Sequence, residues 1–249
     1  MTTRFKIVVP TYNAEKWVHK CLLSIKTQIH EDYQCIVFND CSTDSTGDRI
    51  EDFMKTHGDE RFTVVHNEVN KKTLSNLIEG YRILETKSDQ DSVSVVIDGD
   101  DSLFCEYSLS LVDQVYRTSP TMLTYGSFVH WPTGETSSFS RVFPKEVIQN
   151  NSYRRHPFIS SHLRTYKSIL WNSIRDEDLR DVDGDYYKVA CDVATMIPML
   201  EMTGGKFTYI PNILYVYNRW NPLSDDVINS KDQERITASI RLKNQYKPL

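Results

Sequence analysis

Residues 95–101 read Val-Val-Ile-Asp-Gly-Asp-Asp, an apolar run that ends in three acids within four positions. The run belongs to a short β-branched stretch, Ser92–Ile97, of the kind that forms a strand buried on both faces. Alternate residues of a pleated strand share a face, so Asp98 and Asp100 project together, and Gly99 between them lets a ligand approach the backbone. Carboxylates this close repel one another unless a cation or a proton sits among them. Capping the next helix is their plainest structural use. At the end of a fully buried strand, a divalent cation is the better account of three acids.

Upstream, β-branched runs alternate with helical periods. Phe5–Val9 predicts a strand, and Trp17, Val18, Cys21, Leu22, Ile25 and Ile29 form one helical stripe. Tyr33–Asn39 is the next strand. A helix follows over Ser42–His57, with Ser42 and Asp44 as capping candidates and a stop at Gly58. Phe62–His66 and the stripe Leu74, Leu77, Ile78, Tyr81, Leu84 complete a third unit. Such alternation means a mostly parallel sheet with helices on both faces, an α/β fold.

Downstream the rhythm breaks. Met122–Trp131 predicts a strand, and Tyr186, Val189, Ala190, Val193, Met196, Ile197 and Leu200 repeat at helical spacing up to Gly204. Two short strands, Phe207–Ile210 and Ile213–Tyr217, and a charged helix near Asp232–Lys243 close the chain. No repeat or linker divides it, so residues 1–249 are expected to form one domain, with a ligand-binding half over 1–102 and a second half over 103–249.

The composition excludes several classes. Across 249 residues, 29 Lys and Arg face 34 Asp and Glu, a net charge of -5 that argues against a nucleic-acid footprint over the whole surface. The 5 cysteines form no CxxC pair and no zinc-ligand spacing, and read as reduced thiols. No apolar run approaches the roughly 18 residues of a membrane span, and the opening MTTRFKIVVP is too short for a signal peptide's apolar core. A cytoplasmic protein is the expectation.

Ligands of open parallel sheets sit at the carboxyl ends of the strands. A dinucleotide or Walker-type loop needs glycines after the first strand, yet the first glycine here is Gly47, and there are 9 in all. Phosphates bound here need another source of neutralising charge, and a carboxylate-held cation supplies it. Asp40 ends the second strand at the same address; if Ser42 or Asp44 does the capping, it is left to accept an N–H group of a base. The first turn, Val9-Pro10-Thr11-Tyr12-Asn13, adds an aromatic ring and two hydrogen-bonding side chains.

In order and spacing VVPTYN, FNDCSTDST and VVIDGDD closely resemble family 2 glycosyltransferases of the GT-A fold, strongly over Lys6–Ser102 and more loosely over Asp181–Asp226. The resemblance implies that Pro10, Thr11, Tyr12, Asn13 and Asp40 hold nucleobase and ribose. It makes Asp98, Gly99 and Asp100 the DxD segment, with Asp100 the foremost ligand of Mn2+ or Mg2+ and Asp101 an adjoining one. Lys72 becomes a candidate for the diphosphate. Asp192 becomes the general base, set off the helical stripe beside Lys188 and Thr195, with pairing to Lys188 its plain structural alternative and Asp185 its rival. Family members often carry a histidine after the last strand; here the segment is Tyr217-Asn218-Arg219-Trp220, so Arg219 is expected to offset diphosphate charge. The segment from His156 to Tyr166 falls where an acceptor would dock.

The implied activity is inverting, metal-dependent transfer of a hexose from a UDP-sugar to a hydroxyl of a carbohydrate, lipid or protein acceptor. Two other readings stay open on the sequence. One is a haloacid-dehalogenase-type phosphatase with Asp98 as nucleophile and Asp100 as acid/base; the other is a non-catalytic sugar-nucleotide-binding module.

Overall fold

A computed structural model describes residues 2–84, 91–224 and 228–249. One sheet runs through it. Its first half is built from β1 (Phe5–Thr11), α1 (Val18–Lys26), β2 (Tyr33–Asn39), α2 (Thr46–His57), β3 (Phe62–His66), α3 (Lys72–Leu84) and β4 (Val93–Val96). Then come β5 (Ser102–Leu103), α4 (Ser108–Thr118), β6 (Leu123–Trp131), α5 (Lys145–Gln149), β7 (Thr165–Lys167), α6 (Ser168–Asn172), α7 (Cys191–Met202), β8 (Phe207–Asn218) and α8 (Ser230–Leu242). The strand order is β3-β2-β1-β4-β7-β6-β8-β5. Strands β1 to β4 pair in parallel, β7 runs antiparallel between β4 and β6, and β8 pairs parallel to β6.

Every residue of β1 is buried, because helices cover both faces. The pleat sends Ile7 and Val9 to the core shared with Val18, Leu22, Ile50 and Phe53, and Val8 to the opposite core with Phe38, Leu77 and Tyr81. Strands β2 and β3 occupy the expected residues.

Several expected boundaries move, each for a local reason. Ile29 lies beyond the end of α1 and is 53% exposed, so the stripe stops at Ile25. Helix α2 starts at Thr46, where Asp44 Oδ1 accepts the Thr46 N–H at 3.0 Å, while Ser42 Oγ is taken by the N–H of Asn13. Helix α7 starts only at Cys191, because Ala190 adopts a left-handed φ of 54°, and Tyr186 and Val189 lie outside it. The two short strands expected after Gly205 are one, β8. Its register against β6 slips on either side of Ser127, a bulge that takes up Pro211, whose nitrogen cannot join a ladder.

Helix α7 is tied down through Glu201, whose buried carboxylate accepts Arg154 Nε at 2.8 Å, Arg154 Nη2 at 3.0 Å and the N–H of Tyr246 at 3.0 Å. All five cysteines are free. No helix among the described residues is long and apolar enough to cross a membrane.

On the opposite edge, Asp59 receives Arg61 at 2.7 Å and also Lys26, joining α1 to the turn before β3. These partners, Arg61 foremost, hold its carboxyl well below the ordinary value of 3.8. A depressed carboxyl contributes stability that is present above its unfolded value and lost as pH falls. Asp59→Asn is therefore expected to cost about 1 kcal/mol near neutral pH and to flatten the loss of stability on acidification below about pH 4. Urea unfolding at several pH values measures both.

Candidate active site

The carboxyl ends of β1, β2 and β4 open into a cleft of about 290 Å³, closed on the far side by residues from the second half of the chain. Pro10, Thr11, Tyr12, Asp40, Lys72, Asp98, Asp100, Asp101 and Asp192 all border it. Asn13, Gly99 and Arg219 are not among its lining residues. Asn13 pins the turn after β1 to the turn after β2, its Oδ1 accepting the Thr43 N–H at 2.8 Å. Arg219 is exposed, and its N–H donates to the carbonyl of Trp131 at 3.1 Å.

Gly99 is a packing requirement. A Cβ there would lie 2.2 Å from Oγ1 of Thr11 and 2.7 Å from its Cβ, a contact that no rotation of the threonine side chain relieves. Gly99→Ala is expected to cost about 1–3 kcal/mol by overpacking; a shift under about 0.5 kcal/mol in denaturant melts would contradict it.

Asp40 is only 3% exposed. Its Oδ1 accepts Asn67 Nδ2 and the Lys71 N–H, and its Oδ2 accepts the Lys72 N–H, each at 2.8 Å. Lys72 gives up that N–H from a left-handed φ of 67°. Oδ2 thus keeps capacity to accept one further hydrogen bond. The Lys72 ammonium lies 6.0 Å from the ring centroid of Tyr12, which is 40% exposed.

The three acids part company. Asp101 is buried and takes Tyr215 Oη at 2.7 Å and the N–H of Asn218 at 2.7 Å. Burial, with Asp100 and Asp98 adding to it, pushes its carboxyl well above the ordinary range. Asp100 accepts Asn221 Nδ2 at 2.7 Å. Asp98 faces Arg164, Nη2 to Oδ2 at 3.8 Å.

His162 and Arg164 are the residues the sequence left among the possible acceptor contacts. Register explains their position. Strand β7 pairs Val95 with Thr165 and Val93 with Lys167, so the antiparallel run continued outward sets Arg164, Leu163 and His162 alongside Val96, Ile97 and Asp98. Ligand atoms of Asp98, Asp101 and His162 lie within 4.8 Å of one another. His162 stacks on Tyr215 at 4.5 Å, and its buried Nδ1 has no hydrogen-bond partner. Burial, with Arg164 adding to it, depresses the imidazole's basicity well below 6.5 and keeps it neutral. Two carboxylates and a neutral imidazole are a donor set that suits Mn2+ or Mg2+, so the residues present fit the expected ion, with the histidine supplied from before β7 rather than after β8.

Arg164 joins the two sides of the cleft: its Nη1 lies 3.4 Å from Oδ2 of Asp192. Burial disfavours its charge, but Asp192 and Asp98 hold it firmly protonated. Asp192 stands in the first turn of α7, its Oδ1 accepting the Val193 N–H at 2.8 Å, at the helix end that favours negative charge. Lys188, its alternative partner by spacing, pairs instead with Asp185 at 3.2 Å, and Asp185 is 64% exposed.

The family described as Glycosyl transferase family 2 matches residues 6–174. The chain belongs to that family. Within it, the chain is 24% identical to the Streptococcus pneumoniae glycosyltransferase GlyG over 232 residues, 88% of this chain and 72% of GlyG. Among solved structures, S. aureus TarS 1–349 in complex with UDP-GlcNAc superposes with a TM-score of 0.67 at 15% identity, over 98% of this chain and 68% of that one. The mannosyltransferase PcManGT from Pyrobaculum calidifontis, in complex with GDP-Man and Mn2+, gives 0.65 at 17% identity, over 99% and 66%. These likenesses establish the GT-A fold of this chain.

Proposed function

We propose that this family 2 protein is an inverting glycosyltransferase that moves a hexose from a nucleoside diphosphate sugar, UDP-linked by default, to a hydroxyl acceptor. The observation that carries the proposal is the placement, in one cleft and joined by one arginine, of the Asp98, Asp101 and His162 group and of Asp192. TarS with UDP-GlcNAc and PcManGT with GDP-Man and Mn2+, two proteins of this architecture, support the donor class. Five free thiols fit a reducing, cytoplasmic setting.

Each residue then has a task. Tyr12 offers an exposed ring to the nucleobase, and the remaining lone pair on Asp40 Oδ2 accepts a base N–H. Asp98, Asp101 and His162 hold the divalent cation, with Asp100 facing the same cleft and retained in the ligand set. When bound, Mn2+ or Mg2+ supplies positive charge to the departing nucleoside diphosphate. Lys72 adds a further cation on the nucleotide side. Asp192 takes the proton of the acceptor hydroxyl as its oxygen bonds to the anomeric carbon and the bond from that carbon to the phosphate oxygen breaks; one such displacement inverts the centre. Arg164, 3.4 Å from Oδ2, holds Asp192 in place at the cleft.

The test is release of nucleoside diphosphate from a panel of UDP- and GDP-sugars with Mn2+. Turnover of at least one donor is expected, stopped by EDTA and reduced roughly 100-fold or more in Asp98→Ala. Metal-dependent UDP binding with no turnover of any donor would point to a binding module instead. Phosphate release from an aryl phosphate, lost in Asp98→Asn, would point to a phosphatase.

A further inference from the structure

The turn that follows β8 is fastened to the acid triplet at both ends. The N–H of Asn218 donates to Asp101 at 2.7 Å, and Asn221 Nδ2 donates to Asp100 at 2.7 Å. Between them, the N–H of Trp220 is held by Asn218 Oδ1 at 2.9 Å, and the N–H of Arg219 by the Trp131 carbonyl at 3.1 Å. Trp220 therefore stands on a backbone with little freedom. Its indole meets Trp131 edge to face, with centroids 5.0 Å apart at 72°, and Lys20 sits over the Trp131 ring at 5.7 Å. Trp220 is nonetheless 64% exposed.

A large aromatic ring fixed in place yet left in water is an uncommon use of tryptophan, because burying it would be strongly favourable. Its position beside the cleft is equally specific: Asn221, the next residue, and Tyr217, three residues before, both line it. Tyr217 in turn stacks on His162 at 5.4 Å, so aromatic side chains run from the proposed metal group out to this turn. A pyranose ring carries a face of C–H groups, and a rigid, exposed indole beside a polar cleft matches that face. A membrane surface needs a broader apolar face than one indole next to the exposed Arg219.

We propose that Trp220, braced by Trp131, is the stacking platform of an acceptor subsite and that the acceptor is a carbohydrate. This rests on the transferase reading above and narrows its acceptor from any hydroxyl compound to a sugar. The platform holds the acceptor ring; it takes no part in proton transfer.

The experiment compares wild type, Trp220→Ala and Trp220→Phe with Mn2+ and the donor that turns over. Nucleoside diphosphate release is followed without acceptor and with a panel of p-nitrophenyl mono- and disaccharides. At least one saccharide is expected to accelerate release. Trp220→Ala is expected to raise the KM for that saccharide about 10-fold while hydrolysis without acceptor stays within about twofold, and Trp220→Phe to recover most of the loss. An unchanged KM in Trp220→Ala would overturn the inference. So would a wild type that hydrolyses donor but is accelerated by no saccharide, or a variant that loses binding to phosphatidylglycerol vesicles and nothing else. A wild type with no donor hydrolysis at all would instead overturn the transferase reading on which the inference stands.

Discussion

Replacing Asp192 with asparagine is expected to lower transfer by about 10³-fold, within the range that a positioned general base contributes. The substitution keeps the shape of the side chain and an oxygen that can accept from Arg164 Nη1, now 3.4 Å from Oδ2. It removes the capacity to take a proton. Binding of Mn2+ and UDP should therefore stay within about twofold of wild type, because Asp192 is outside the proposed metal group. Initial rates at saturating donor, paired with calorimetric titration of UDP and Mn2+, separate the two effects. Wild-type transfer by Asp192→Asn would remove this residue from the base role. Asp185 would not inherit it readily, being largely exposed and engaged with Lys188.

The second large effect is expected at His162. His162→Ala should weaken Mn2+ by at least the roughly 10–100-fold that loss of an outer-shell partner costs, and turnover should fall with it. The ring also packs on Tyr215 at 4.5 Å and Phe128 at 5.5 Å, so alanine alone would confuse a lost ligand with a cavity. His162→Phe resolves this by retaining an aromatic ring without a donor nitrogen. Metal affinity should fall as far in the phenylalanine variant as in the alanine one, while its thermal midpoint stays nearer wild type. Recovery of Mn2+ binding in His162→Phe would show that the imidazole packs and does not ligate.

The first half of the fold was legible because its strands are short, apolar and separated by clear helical stripes, so β2 and β3 fall on the expected residues. Loss of periodicity after Ser102 marks where reading along the chain fails. Strands β5 and β7 are too short, at 2 and 3 residues, to carry a period of their own. That failure hid the third member of the proposed metal group, since the antiparallel pairing of β7 with β4 brings His162 to Asp98. A His-x-Arg stretch just ahead of a β-branched residue was the signal available, and it is weak without the register. Arg219, close in sequence to the site, is exposed and is not among the residues that line the cleft. Asp192 lay between these extremes: its offset from the apolar stripe was visible, whereas its partner, Arg164, was not.

Titration of Mn2+ into the protein with UDP present, followed by the electron paramagnetic resonance of free Mn2+, addresses the central claim most directly. One saturable site is expected in wild type, lost in both Asp98→Ala and His162→Phe. Saturable binding that survives both substitutions, or no binding by wild type, would contradict a divalent ion seated between β4 and the residues leading into β7.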